Sequence, residues 1–158
     1  MAGFTFLFYI AVGVFQTAVL GNTGTAAIVA IFAQRTSAVV LAVTLFRITR
    51  PVGAAVAGVA AACRIVEGLL SPPLAIVFFA AGSTLFCWLF LRGLLIPLGL
   101  AWVGLFASVV ILVGIPLQMG GVLPRTATMI LLLPMLAFEV PVGFWLLFKP
   151  LRATLPKR

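Results

Sequence analysis

The sequence has no histidine and no aspartate, and its only acidic residues are Glu67 and Glu139, against ten lysines and arginines. Without imidazole there is no nitrogen ligand for haem, zinc or copper and no histidine general base. The two cysteines, Cys63 and Cys87, cannot build a zinc or iron–sulfur site alone, and each lies in an apolar run as a small hydrophobe. No cofactor is therefore expected. Both lysines, Lys149 and Lys157, stand at the C-terminal end, where neither serves as a Schiff base deep in a span. Charge of either sign is scarce at 8% of residues, where soluble domains carry about 25%. The net charge of +8 is scattered at the ends of apolar runs. That placement suits an anionic membrane face rather than nucleic acid, so membrane lipids are expected partners and nucleic acid is not.

What is present is apolar. Sixty-five per cent of the 158 residues are hydrophobic and the mean hydropathy is +1.36. A helix needs about 20 apolar residues to cross a bilayer, so the length admits about six spans and no further water-soluble domain. The expected fold is all-α: a single polytopic domain over 1–158, a bundle of about six transmembrane helices with short loops. The first run shows no basic leader and no small-residue cleavage site, and reads as a retained span. Turn residues divide the chain into spans over 2–20, 25–47, 52–70, 74–91, 98–115 and 126–148. Between them stand Gly21-Asn22-Thr23-Gly24, a compact basic turn over 47–51, Ser71-Pro72-Pro73, Arg92-Gly93 with Pro97, and the loop "PLQMGGVLPR". Pro134 and Pro141 are expected to bend the last span.

Lysine and arginine mark the cytoplasmic side of membrane proteins. With six spans, Arg47, Arg50, Arg92, Lys149, Arg152, Lys157 and Arg158 share one side, and only Arg125 lies opposite. Trp88, Trp102 and Trp145 fall at that same arginine-rich boundary, as an interfacial aromatic belt does. Both termini are expected in the cytoplasm, with these tryptophans, Arg47, Arg50, Arg92, Lys149 and Arg152 as interface anchors.

Four charges remain inside spans: Arg35, Arg64, Glu67 and Glu139. A charge at mid-bilayer costs about 2.5–3.5 kcal/mol on insertion scales and normally faces the bundle interior. Arg64 and Glu67 are three apart and project from one helical face, which also carries Gly53, Ala57, Ala60 and Ser71; Val59, Val66 and Leu70 lie on the other side. Small residues let helices approach closely in membranes, so Ala57 and Ala60 mark a packing face. The expected pairing gives Glu67 to Arg64 or Arg35, and Glu139 to the arginine left over. Such a cluster is either a polar network that fixes helix register or a site for a small anion, a proton or an amphipathic molecule. The hydroxyls and amides of Gln16, Thr17, Thr44, Ser83 and Thr84 are expected only to hydrogen-bond helices.

Three stretches, "RITRPVGAAVAGVAAACRIVEGLL", "LFCWLFLRGLLIPLGLAWVGLF" and "LLLPMLAFEVPVGFWLLFK", resemble the successive signatures of a bacterial membrane family known as domain of unknown function 4386. The resemblance runs roughly over 35–149. It rests on an Arg-x-x-Glu pair in the third span (Arg64, Glu67), an Ile-Pro turn with a following glycine (Ile96, Pro97, Gly104), and a glutamate ahead of Gly-x-Trp-Leu (Glu139, Gly143, Trp145, with Lys149). This chain departs from the pattern in its tight first turn, in Leu98 where a basic residue is expected, and in an N-terminus without flanking positive charge. The resemblance implies about six spans and a bacterial inner-membrane location, and implies no activity.

Two functional expectations follow. The first is a small non-enzymatic membrane protein, an accessory or scaffold subunit packed by its Gly- and Ala-rich helices against other membrane subunits. The alternative is a small-solute, anion or proton binding or transport module built on Arg35, Arg64, Glu67 and Glu139. An enzyme using Glu67 and Glu139 as a carboxylate pair is disfavoured, because two nearby arginines neutralise them.

Overall fold

The computed structural model describes residues 2–15, 24–124 and 126–148. Among these residues every regular element is helical: α1 (Ala2–Phe15), α2 (Thr25–Leu69), α3 (Leu74–Gly93), α4 (Leu98–Met119) and α5 (Ala127–Phe148). Four of them, α2 to α5, are long and apolar enough to cross a membrane, which makes this a multi-pass membrane protein. Gln16, Thr17, the first turn up to residue 23, Arg125, Lys149, Arg152, Lys157 and Arg158 lie outside the described residues.

The helix count differs from about six because two expected spans are fused into α2. A straight helix of its 45 residues would run about 68 Å, more than twice the roughly 30 Å hydrocarbon core. It does not run straight. Gly53 has extended backbone, with φ −174° and ψ 90°. Leu45, before this break, and Arg64, after it, line one small cavity, so the two halves fold back on each other. The expected turn over 47–51 is instead helical. The break falls at Gly53, two residues past Pro51, where Leu89 of α3 comes within 3.2 Å of the place of a Gly53 side chain, and the reversal needs no loop.

Smaller corrections have similar causes. α4 continues through Pro116 to Met119, past the expected end at 115. Its last turn closes on Gly121 at φ +78°, with Val122 N–H on Leu117 O at 2.9 Å and Gly121 N–H on Gln118 O at 3.1 Å. That is the left-handed glycine termination of helices. The Gln118 amide then donates to Pro124 O and accepts from Thr128 Oγ1, both at 2.9 Å, and so ties the loop to α5. α3 ends in the same way but with Leu94 in the left-handed position, at φ 49°. α5 passes Pro134 and Pro141 as one helix.

The helices form a closed ring of neighbours, each packed on the next, with α1 between α2 and α5. Phe6, Leu41, Leu45, Phe90, Ile111 and Phe138 are among its buried core residues. α1 meets the end of α5 closely: a side chain at Gly3 would strike the Leu147 backbone and sit 2.6 Å from Gly143 O. Hydroxyls within the helices bond their own backbone, as Thr44 does to Val40 O and Thr84 to Ala80 O, a local solution for polar groups in an apolar medium.

Candidate functional site

Charge inside this bundle is organised by the second half of α2. Ala57 and Ala60 are fully buried there, whereas Val59 is 56% exposed, so the small-residue face turns inward and carries Arg64 with it. α3 lets it approach: a side chain at Gly82 would lie 3.0 Å from Ala60 O and 3.1 Å from Arg64 Cγ. The absent side chain is the space the arginine stem uses.

Arg64 is 2% exposed. Its guanidinium lies over the Phe79 ring of α3 at 4.6 Å and the Tyr9 ring of α1 at 5.4 Å. These distances fall within the range of a cation–π attraction. Arg64 Nη1 sits 2.8 Å from Glu67 Oε2, yet the two atoms are off hydrogen-bond alignment, so the contact is coulombic. Tyr9 Oη–H donates to the other carboxylate oxygen, Glu67 Oε1, at 3.0 Å. Tyr9, Arg64, Glu67 and Phe79 thereby form a closed set that joins three helices.

The remaining intramembrane charges are not paired as expected. Glu139 of α5 is 7% exposed and makes no ion pair with any described residue; the described chain has a single ion pair, Arg64 with Glu67. Arg35 is exposed and does not take up Glu139. Arg35 is exposed where Glu139 is buried, and the buried guanidinium of Arg64 is already engaged by its neighbour on the same helix.

Two cavities adjoin these groups. A small internal one, about 20 Å³, is lined by Arg64, Ser83, Cys87 and Glu139 among others, a volume that suits one water. A larger one of about 850 Å³ lies among α1, both halves of α2, the start of α3 and the start of α5. Its polar lining is Tyr9, Gln34, Arg35, Glu67 and Glu139, and its walls include Ile10, Ile31, Ile76, Leu132 and Leu136. Glu139 lines both cavities. Cys87 is buried and Cys63 half-buried, and both are free thiols. No group of three or more metal-ligating side chains occurs among the described residues.

The interface anchors lie at the other end. Trp88 near the end of α3, Trp102 near the start of α4 and Trp145 near the end of α5 share that end with Arg47, Arg50 and Arg92, all three arginines exposed. Arg92 lies over the Trp88 ring at 5.2 Å.

Sequence reasoning missed Tyr9, Phe79 and Gln34. Tyr9 carried a signal, being the sole tyrosine, set in an otherwise apolar run, because a buried phenol seeks a hydrogen-bond partner. Phe79 is one of fourteen phenylalanines, and nothing in its spacing distinguishes it.

No curated protein and no solved structure matches the chain. Residues 73–149, from just before α3 to just beyond α5, match the family model described as domain of unknown function (DUF4386); this is the family that the signatures around Pro97, Gly104, Glu139 and Trp145 resemble, while Arg64 and Glu67 precede the matched segment.

Proposed function

We propose that the protein is a non-enzymatic membrane module that binds, and passes on, a small amphipathic solute. The observation that carries this reading is the cavity of about 850 Å³ with apolar walls and a few convergent polar groups, the size and lining of ordinary ligand sites. The charges at its floor orient a polar head, and the aliphatic walls accept the rest. The module sits in a bacterial inner membrane with both termini cytoplasmic. Three exposed arginines and three tryptophans at one end support that orientation, and the cavity then belongs to the outer half.

Gly68 lines the cavity and nothing lies within 4 Å of where its side chain would start, so Gly68→Trp projects an indole into the site. In lipid nanodiscs, at least one amphiphile from a panel of matched cations, anions and alcohols is expected to bind the wild type and not Gly68→Trp. If none distinguishes the two proteins, the reading fails. The accessory-subunit reading draws on one observation, the outward small residues Ala54, Gly58 and Ala62 along α2, whose spacing suits a close helix partner. A companion protein recovered at fixed stoichiometry, together with no Gly68-dependent binding, favours that reading instead.

A further inference from the structure

Resting on the cavity reading, we infer that the solute carries an organic ammonium group, bound at the deep end of the cavity with Glu139 as its counter-ion. The inference begins from the buried charges. Glu67 has Arg64 at 2.8 Å and the Tyr9 hydroxyl at 3.0 Å, so both of its oxygens are engaged. Glu139, more than nine-tenths buried, has neither an ion pair nor a hydrogen bond with any described residue. Other titratable and polar groups line the two cavities with it: Tyr9 from α1, Gln34, Arg35, Arg64 and Glu67 from α2, Ser83 and Cys87 from α3. Of these only the two arginines are cationic. Arg64 is held by Glu67 and by the Tyr9 and Phe79 rings, and Arg35 is exposed. The buried set therefore holds two carboxylates and one guanidinium, an excess of one negative charge.

A lone carboxylate in an apolar interior must gain a positive partner or a proton. The geometry points to a partner with a body. The cavity beside Glu139 is far larger than a bare ion requires, and its walls are mostly aliphatic. A metal cation such as calcium or magnesium collects six or more oxygens, and Glu139 is the one unpaired carboxylate here. An ammonium head needs at most three acceptors, and the Glu139 carboxylate, the Tyr9 oxygen and the Gln34 amide line the same cavity. Arg35 lines the same cavity but is exposed and makes no ion pair with Glu139, so the buried carboxylate still wants a cation.

The test uses three probes with one body: 2-phenylethylammonium, 3-phenylpropanoate and 2-phenylethanol, measured by equilibrium dialysis against the full chain in nanodiscs. The ammonium is expected to bind at least tenfold more tightly than the alcohol, and the carboxylate more weakly than either. Glu139→Gln should lose at least tenfold of ammonium affinity and leave the alcohol unchanged, while Glu139→Asp retains the preference. Arg35→Gln should leave ammonium binding equal or stronger. Equal binding of ammonium and alcohol, both abolished by Gly68→Trp, overturns the cation assignment while the cavity reading stands. Carboxylate binding that Arg35→Gln abolishes overturns it too. Absence of Gly68-dependent binding by all three probes overturns the cavity reading itself. Retained alcohol binding by Glu139→Gln shows that the variant is folded.

Discussion

Replacing Glu67 by Gln removes one charge and little else. The amide oxygen still accepts from Tyr9, whose hydroxyl lies 3.0 Å from Glu67 Oε1, so what disappears is the coulombic contact at 2.8 Å. Breaking a buried ion pair by removing one partner costs about 3–5 kcal/mol, mostly as an uncompensated charge. Two features place this case at the low end. The Phe79 and Tyr9 rings keep their hold on the guanidinium, and Glu139 lines the same small cavity as Arg64, so it recovers part of the attraction. A loss of about 3 kcal/mol lowers the melting temperature of a chain this size by roughly 6–12 °C. Arg64→Gln strands two carboxylates and costs at least as much. In the double variant two amides face each other, so it should melt above either single variant, which thermal denaturation in mild detergent reads directly. The same logic reaches the ligand: once Arg64 turns to Glu139, the excess negative charge is gone, and Glu67→Gln should also weaken 2-phenylethylammonium binding. Single-variant losses that simply add in the double would refute the pairing.

Further outcomes follow from individual positions. Leu94 holds a left-handed backbone at φ 49° while its side chain is 71% exposed, so Leu94→Gly should stabilise the protein by about 1 kcal/mol, read as a higher melting temperature. Gly3→Ala meets the α5 backbone, whereas Gly58→Ala meets nothing within 4 Å; the first should lower the melting temperature clearly and the second hardly at all. Gln118→Leu removes two 2.9 Å hydrogen bonds that tie the α4–α5 loop and should cost about 1–2 kcal/mol, with faster proteolysis near 121–124. In a background lacking Cys63 and Cys87, a cysteine at exposed Ser71 should react with an impermeant reagent from outside intact cells, and one at exposed Gly99 should not. The reverse pattern inverts the orientation.

The sequence makes the helical elements legible because each apolar run is bounded by residues that cannot continue it. It fails at α2 for a specific reason. A proline disfavours helix in the residue before it, so the basic stretch over 47–51 reads as a turn; yet the backbone stays helical through Pro51 and leaves the helix only at Gly53, inside the small-residue run of the expected third span. In the site, the neighbourhood of Arg64 and Glu67 was legible because a separation of three residues fixes it within one helix. The partners of Arg64 on α1 and α3, Tyr9 and Phe79, were not, since no periodicity relates residues on different helices. The expected cancellation of two positive against two negative charges failed through burial. Arg35 and Arg64 are equal in a tally of charges, but only Arg64 is inside, and Glu139 is left without a neighbour to neutralise it.

The location of the cavity has a cause in the distribution of small residues. At the tryptophan end, α1 and α5 come together through Gly3 and Gly143, with the Leu7 side chain seated where a Gly143 side chain would be. There Val52 likewise fills the space at Gly93, and Leu89 approaches Gly53. Such contacts bring backbones close, and close packing leaves no void larger than a water. Toward the other end of α1 the lining changes. Gly13 meets only the Gln34 side-chain amide, and Gly68 faces open space, so no neighbouring backbone closes on the glycines there. Tyr9 and Phe79, with the Arg64 guanidinium over both rings, occupy the junction of α1, α2 and α3, and Tyr9, Phe79 and Glu67 also line the cavity beside Glu139. The set that satisfies the buried arginine and the wall of the cavity are therefore built from the same side chains.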